Sequence, residues 1–362
     1  MGKNISLRDF DWLLLGILLV VATLGIVQIY SATEGTRFAG AHLRQIYWVL
    51  MGLALAFFVS LYDYRSLLNY APWLYLAVLI LLVATLVTGA EISGARRWLR
   101  IGGINFQISE VTKLAIILLL ARFFSGPQEG KLSWPDLGKV AVAVGLPAVL
   151  IAWQPDLGTA LTLVPMVLVM LFVAGLKLRY FALMLLVGMV SLPIAWQHLK
   201  PYQKERIGTF LEPEQDPQRA GYQVLQSKIA VGSGQLWGKG TAQGTQTQLR
   251  FLPVPHTDFI FAAYAEEHGF FGVLLGLLLY FAAAIRLVQN AQMAPDAAGM
   301  FLIAGIAGVW MFQVFVNVGM VVGYLPVTGI PLPLMSYGGS SAMVAFLAVG
   351  LVNSVRVRRF VN

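Results

Sequence analysis

The sequence predicts an all-α, polytopic integral membrane protein, on three observations. Apolar residues make up 58% of the chain, charged residues only 12%, and the apolar residues gather in about ten runs long enough to cross a bilayer. A mean hydropathy of +0.74 exceeds what a soluble core requires. A spanning helix needs roughly 20 apolar residues. The runs lie near 10–30, 44–62, 69–88, 110–125, 136–153, 159–175, 179–197, 262–287, 299–322 and 340–357. Little chain is left for a soluble domain, so residues 1–362 are expected to form one membrane domain.

The first run is longer than the apolar core of a signal peptide and nine more follow it, so it reads as a retained helix. An even number of spans puts both termini on one side. Lys3 and Arg8 precede the first span, and Arg356, Arg358 and Arg359 follow the last. By the positive-inside rule both termini are cytoplasmic, which places the chain in the cytoplasmic (inner) membrane. The same side then receives Arg65, Arg122 with Lys131 and Lys139, Lys177 with Arg179, and Arg286.

Two outer loops, 154–158 and 323–339, hold no Lys or Arg, but two others are basic. The loop before the fourth span carries Arg96, Arg97 and Arg100, with Lys113 one turn into the helix. The long extracellular loop between spans 7 and 8, residues 198–261, adds Lys200, Lys204, Arg206, Arg219, Lys228, Lys239 and Arg250. Positive charge on the outer face suits either lipid head groups or an anionic extracellular ligand. Within this loop, residues 212–217 form an acidic, proline-flanked turn. Val224, Leu225, Lys228 and Ile229 have the spacing of a short interfacial helix. The glycine-rich run 232–240 is not a phosphate-binding loop, since Gly240 stands where Ser or Thr must ligate magnesium. It is expected to be a flexible segment near the membrane surface.

Composition also excludes. The absence of cysteine removes thiol nucleophiles, disulfides and thiolate metal sites. His42, His198, His256 and His268 are scattered without metal-ligand spacing. The net charge of +8 is spread over many loops with no nucleic-acid motif, so no nucleic-acid partner is expected.

Ionisable groups at membrane depth are costly and mark function by default. Asp258 stands at the lip of the eighth span, in Pro255-His256-Thr257-Asp258-Phe259-Ile260-Phe261-Ala262. It is either the N-cap of that helix or a general base at the outer face. Glu266 and Glu267 lie about two turns further on, with at least one expected to face the bundle interior. Glu110 and Lys113, at i and i+3, can pair as a helix-terminus ion pair or line the same cavity as Asp258. Asp156, after Gln154-Pro155, has the position of an N-cap for the sixth span. Gln313 and Asn317, one turn apart in the ninth span, must face protein or water and suit interhelical hydrogen bonds. The run from Gly329 to Ser341, with Pro331, Pro333, Gly338 and Gly339, cannot be regular helix. Irregular backbone at that depth must be buried or line a cavity, so this run is expected to wall a binding site.

These segments resemble the SEDS family (shape, elongation, division and sporulation). The matching stretches are Gly94-Ala95-Arg96-Arg97-Trp98, Gln107-Ile108-Ser109-Glu110 with Lys113, Gln154 to Ala160, Gly221-Tyr222-Gln223, Gln226-Ser227, Gly232-Ser233-Gly234, Pro255 to Ala262, and Pro326 to Ser341. Leu249 to Pro253 and Ile330 to Pro333 look more like the elongation member than the division member. Ile108 departs from the proline common in the family.

The resemblance implies a peptidoglycan glycosyltransferase that polymerises lipid II on the outer membrane face during cell elongation. It further implies a class B penicillin-binding protein as crosslinking partner, among other elongation-complex membrane proteins. The family's essential aspartate falls on Asp258, and its functionally important glutamate, lysine and arginine fall on Glu110, Lys113 and Arg97. Asp156, His256, Thr257 and Ser336, in the same matched segments, join Arg96 and Arg100 as candidates to line the substrate cavity. Pyrophosphate leaves without needing a proton, so one carboxylate base can suffice. The developing charge needs cations: the arginines, or a divalent ion such as Mg or Mn with Asp258 and Glu110 as candidate ligands. Two other classes fit less closely: a flippase for lipid-linked precursors, and a scaffold without activity.

Overall fold

The computed structural model describes residues 7–92, 95–101, 104–126, 132–198, 204, 208–210 and 220–359. Lys3, Gly94, Lys131, Lys200, Arg206, Arg219 and the acidic turn 212–217 lie outside the described residues.

Each of the ten apolar runs carries a helix. In chain order these are α1 (Trp12–Thr33), α2 (Ala41–Leu61), α3 (Tyr64–Thr88), α4 (Ile108–Phe124), α5 (Trp134–Trp153), α6 (Leu157–Val173) and α7 (Leu178–His198). After the long loop, which holds α8 (Ala220–Ser233) and α9 (Thr245–Gln248), come α10 (Ile260–Gln292), α11 (Ala297–Val321) and α12 (Gly339–Arg356). Seven of them, all but α4, α6 and α7 among the ten, are long and apolar enough to cross a membrane. Polar residues before the apolar runs start the helices: Asp11 accepts from the Leu14 N–H, Asp63 from Arg65, and Ser133 with Asp136 closes a capping box on α5. Helix α11 is the hub. It packs on α4, α6, α10 and α12, and 72% of its most apolar stretch is buried, against 22% for α3.

The all-α expectation misses one element. Residues 90–107 form a three-stranded antiparallel meander, β1 (Ala90–Ile92), β2 (Ala95–Ile101) and β3 (Ile104–Gln107). Ile101 pairs with Ile104. The Gly-Gly dipeptide between them in sequence, flanked by Trp98, Leu99, Ile101 and Phe106, is a short-hairpin signal that a search for apolar runs passes over.

The glycine-rich run is the second correction: it is locked in place rather than loose. Helix α10 is two helical pieces joined at Gly269 (φ 62°, ψ −162°). Residues 234–240 lie across this break. Phe270 N–H donates to the Gln235 carbonyl (2.8 Å), Lys239 N–H to the Glu266 carbonyl (3.0 Å), and Gly240 N–H to the Glu267 carbonyl (2.9 Å). A side chain at Gly269 would meet the Gly238 nitrogen at 2.3 Å, so the two chains approach only because both positions lack Cβ. Helical backbone freed at a break must be paired again inside the protein, and this run does so. Glu266, fully buried, accepts from Lys239 Nζ (2.8 Å), the Gln246 N–H (2.9 Å) and the Thr247 N–H (3.2 Å). Glu267, also buried, accepts from the Ser31 hydroxyl on α1.

The described ends of the chain meet at one end of the bundle in a closed ionic network. Asp11 accepts from Arg286 (2.9 Å) and Asn290 (2.6 Å) and pairs with Arg356 (3.4 Å). Asp296, the N-cap of α11, accepts from the Tyr64 hydroxyl (2.7 Å) and Arg65 (2.9 Å). Arg358 donates to the carbonyls of Ser60 (3.2 Å) and Leu61 (2.7 Å). The meander and Asp258 lie at the opposite end.

Candidate active site

Asp258 does not cap α10. That helix starts at Ile260, with Phe259 in the cap position and no side-chain cap bond. The half-buried Asp258 sits in the chain before it, and three successive carbonyls there are tied to one irregular segment or to the helix preceding it. The His256 carbonyl accepts from the Tyr337 N–H (2.9 Å), the Thr257 carbonyl from the Ser336 hydroxyl (2.8 Å), and the Asp258 carbonyl from Asn317 Nδ2 (3.1 Å). The irregular segment is residues 329–338 of the run from Gly329 to Ser341 singled out in the sequence; Gly339 to Ser341, expected to be irregular as well, instead form the first turn of α12. Ser336 Oγ accepts from the Leu332 N–H (2.8 Å), and Tyr280 on α10 donates to the Pro333 carbonyl (2.7 Å). Gly329 holds a left-handed φ of 72°, and a Cβ there would lie 3.5 Å from an Asp258 carboxylate oxygen. The carboxylate is thereby set against the bend of this segment.

Glu110 and Lys113 open α4 and pair at 2.8 Å, with side chains 4% and 5% exposed. They line a narrow cleft of about 20 Å³, together with Trp310, Gln313, Pro333 and Ser341. Asp258 is not among its walls. The pair and the segment that carries Asp258 are linked through residues 329–341, which supply Pro333 and Ser341 to the cleft and hydrogen bonds to the His256 and Thr257 carbonyls just before Asp258.

Asp156 caps α6 by accepting from the Thr159 N–H (3.3 Å), and also accepts from Gln107 Nε2 (2.9 Å) and the Ser109 hydroxyl (3.1 Å). Arg97 reaches this turn from β2. It donates to the carbonyls of Gln154 (3.3 Å) and Pro155 and lies 3.9 Å from Asp156. Gly158 in turn abuts the Thr328 carbonyl, beside Gly329. Strand alternation puts Arg96 and Arg100 on the other face of the sheet, both exposed. Arg96 pairs at 3.5 Å with the equally exposed Glu91, and Arg100 contacts Asn105 Oδ1 at 3.5 Å. Of the cations near this end, Arg97, Lys113, Lys239 and Arg250 are engaged inside the protein, the last with the Gly35 carbonyl (2.5 Å). Arg96 and Arg100 are presented outward.

His256 is packed rather than presented. It is 7% exposed, between the rings of Phe38 (4.7 Å) and Tyr337 (5.9 Å), and burial pushes its imidazole below the ordinary value of 6.5. The Ser336 hydroxyl donates to the Thr257 backbone carbonyl, which braces the loop. Among the described residues no group of three or more His, Asp or Glu is arranged to hold a metal ion. The sequence reading missed Gln45 on α2, whose amide meets the Ser336 carbonyl (3.4 Å) and the Gly338 N–H (3.2 Å). A glutamine within an apolar run was its signal.

The comparisons with known proteins agree with this architecture. The family described as cell cycle protein, covering FtsW, RodA and SpoVE, matches residues 11–360. The chain is 41% identical to the peptidoglycan glycosyltransferase MrdB of Escherichia coli K12, over 96% of this chain and 94% of that protein. It is 34% identical to the peptidoglycan glycosyltransferase RodA of Treponema pallidum, over 98% and 99% of the two chains. A chain from a solved peptidoglycan synthase complex that coordinates polymerisation and crosslinking superposes with a TM-score of 0.84 at 35% identity, covering 98% of this chain and 99% of that one. The Thermus thermophilus rod shape determining protein RodA superposes at 0.74 with 32% identity, covering 98% of each chain. The chain belongs to the FtsW, RodA and SpoVE family of cell cycle proteins.

Proposed function

We propose that this integral membrane protein, a peptidoglycan glycosyltransferase by its family, polymerises lipid II at the outer face of the cytoplasmic membrane during elongation, with Asp258 as general base. The observation that carries the reading is the setting of Asp258: a half-buried acid on a segment tied at three successive carbonyls, at the end of the bundle opposite the chain termini. In this reading all ten apolar helices span and both termini are cytoplasmic.

The carboxylate takes the proton of the acceptor sugar's 4-hydroxyl. The freed oxygen pair attacks the anomeric carbon of the donor, and the bond from that carbon to the pyrophosphate oxygen breaks. The pyrophosphate departs with the bonding electrons and needs no acid, so an α-linked donor yields a β-1,4 bond by inversion. Arg96 and Arg100 offer exposed guanidinium groups to that charge, while Arg97 fixes the Gln154–Asp156 turn and the Glu110–Lys113 pair lines the neighbouring cleft. The synthase complex among the structural relatives supports a class B penicillin-binding protein as the crosslinking partner.

The test is the purified protein in liposomes with labelled lipid II, with and without that partner. The reading expects glycan polymer. Labelled lipid crossing the bilayer without polymer indicates a flippase, and neither outcome in the partner's presence leaves a scaffold; both overturn the proposal.

A further inference from the structure

We propose that Asn317 is a positioning residue for Asp258; the inference rests on Asp258 being the base. Asn317 lies fully buried on α11, and its one amide nitrogen donates to two carbonyls from different segments. It reaches the carbonyl of Asp258 at 3.1 Å and that of Ile330 at 2.9 Å. Ile330 follows Gly329, whose bend approaches the Asp258 carboxylate. One NH2 group therefore fixes the separation between the residue that carries the carboxylate and the backbone that carboxylate faces.

The side chain suits this use. A primary amide has two N–H donors on one atom, which a hydroxyl or a carboxylate does not offer. The neighbouring carbonyls keep their own ties when Asn317 is removed: Thr257 to the Ser336 hydroxyl and His256 to the Tyr337 N–H. Losing the amide thus removes the tie at the Asp258 carbonyl while the two carbonyls before it stay attached. A buried residue that touches no substrate should leave binding alone and act on turnover. Displacing a catalytic group by about 1 Å can cost on the order of 100-fold in rate.

The experiment uses the full chain in liposomes with purified lipid II, comparing wild type, Asn317→Leu, Asn317→Ser, Asp258→Glu and the double variant Asn317→Leu/Asp258→Glu. For Asn317→Leu, kcat per folded molecule is expected to fall about 10- to 100-fold with KM changed less than about twofold. In the Asp258→Glu background the same change should cost far less, because the carboxylate it aligned is already displaced. A purely structural residue would instead lower the thermal midpoint, leave kcat per folded molecule at the wild-type value, and add its loss to that of Asp258→Glu; that pattern overturns the proposal. If Asn317→Leu does not fold, Asn317→Ser decides, with a kcat loss expected and a wild-type kcat overturning. Asp258→Ala run in parallel separates the two readings. Polymer from it removes the base itself, whereas an inactive Asp258→Ala beside a fully active Asn317 variant removes only the positioning role.

Discussion

The two ends of this bundle hold carboxylates in opposite ways. At the end that gathers the chain termini, Asp11 is 1% exposed and has Arg286, Asn290 and Arg356 on its oxygens, and Asp296 has Tyr64 and Arg65. Helices there start on side-chain caps and the charges are closed among themselves. At the other end Asp258 stands half-buried before its helix, on backbone that is neither helix nor strand, with ties directed at its own carbonyl and that of Thr257. A buried carboxylate surrounded by its own cations is stable because nothing more can bind it. An acid that is less deeply buried, on a backbone held in place, can still take a proton from a ligand. In the proposed mechanism the same residue type therefore serves stability at one end and chemistry at the other.

The sharpest way to break this comparison is sidedness, an all-or-none effect. The chain has no cysteine, so Asp258→Cys and Met293→Cys can be labelled singly in intact spheroplasts with a membrane-impermeant maleimide. Only Asp258→Cys is expected to react; labelling of Met293→Cys alone would invert the topology.

Next in size are the buried pairs. Removing one partner of a buried ion pair costs about 3–5 kcal/mol, so Asp11→Ala and Glu110→Ala are both expected to lower the unfolding free energy by that order. Glycan synthesis per folded molecule should separate them: unchanged for Asp11→Ala, lost for Glu110→Ala. The double variant Glu110→Leu/Lys113→Met should regain stability without regaining activity. If it regains both, the pair is only structural.

A smaller difference is expected between neighbours on β2. Arg97→Ala leaves the Gln154 and Pro155 carbonyls without their donor and should cost about 1–3 kcal/mol together with activity. Arg96→Ala, on the exposed face, should stay within about 0.5 kcal/mol and raise KM for lipid II instead. Equal stability losses would contradict the strand alternation.

The smallest effect is in pH. Burial lowers the His256 imidazole, so folding excludes its protonation, and stability contributed there is lost as pH falls below about 6.5. At the terminal end, burial pushes the Asp11 carboxyl up but the bonds from Arg286, Asn290 and the Leu14 N–H outweigh it, and Asp296 is likewise held below its ordinary value of 3.8. Their contribution is lost only as pH falls below about 3.8. The thermal midpoint is expected to decline in two stages on acidification, and His256→Phe should remove the first.

How much of this was legible in the sequence depended on whether the signal was local. The ten helices were readable because apolar runs of that length have one stable form in lipid. The irregular run 329–341 stood out by its prolines and glycines, and the Glu110–Lys113 pairing by its spacing. The meander was missed because strands of 3, 7 and 4 residues carry weaker periodicity than spans. The glycine-rich run was misread because its partner, the break at Gly269, lies thirty residues away and a single glycine in an apolar helix announces no break. Asp258 was half-read as a cap because composition cannot say whether a helix starts at 259 or 260. Its carbonyl ties join residues about 60 and 79 positions apart, which no local pattern encodes.

The most direct test is turnover of purified lipid II by Asp258→Ala, compared with wild type at matched thermal midpoint and matched folded yield. Loss of a general base predicts a fall of about 10²- to 10⁴-fold with the protein still folded. Glycan polymer made at the wild-type rate by that variant would contradict the account at its centre.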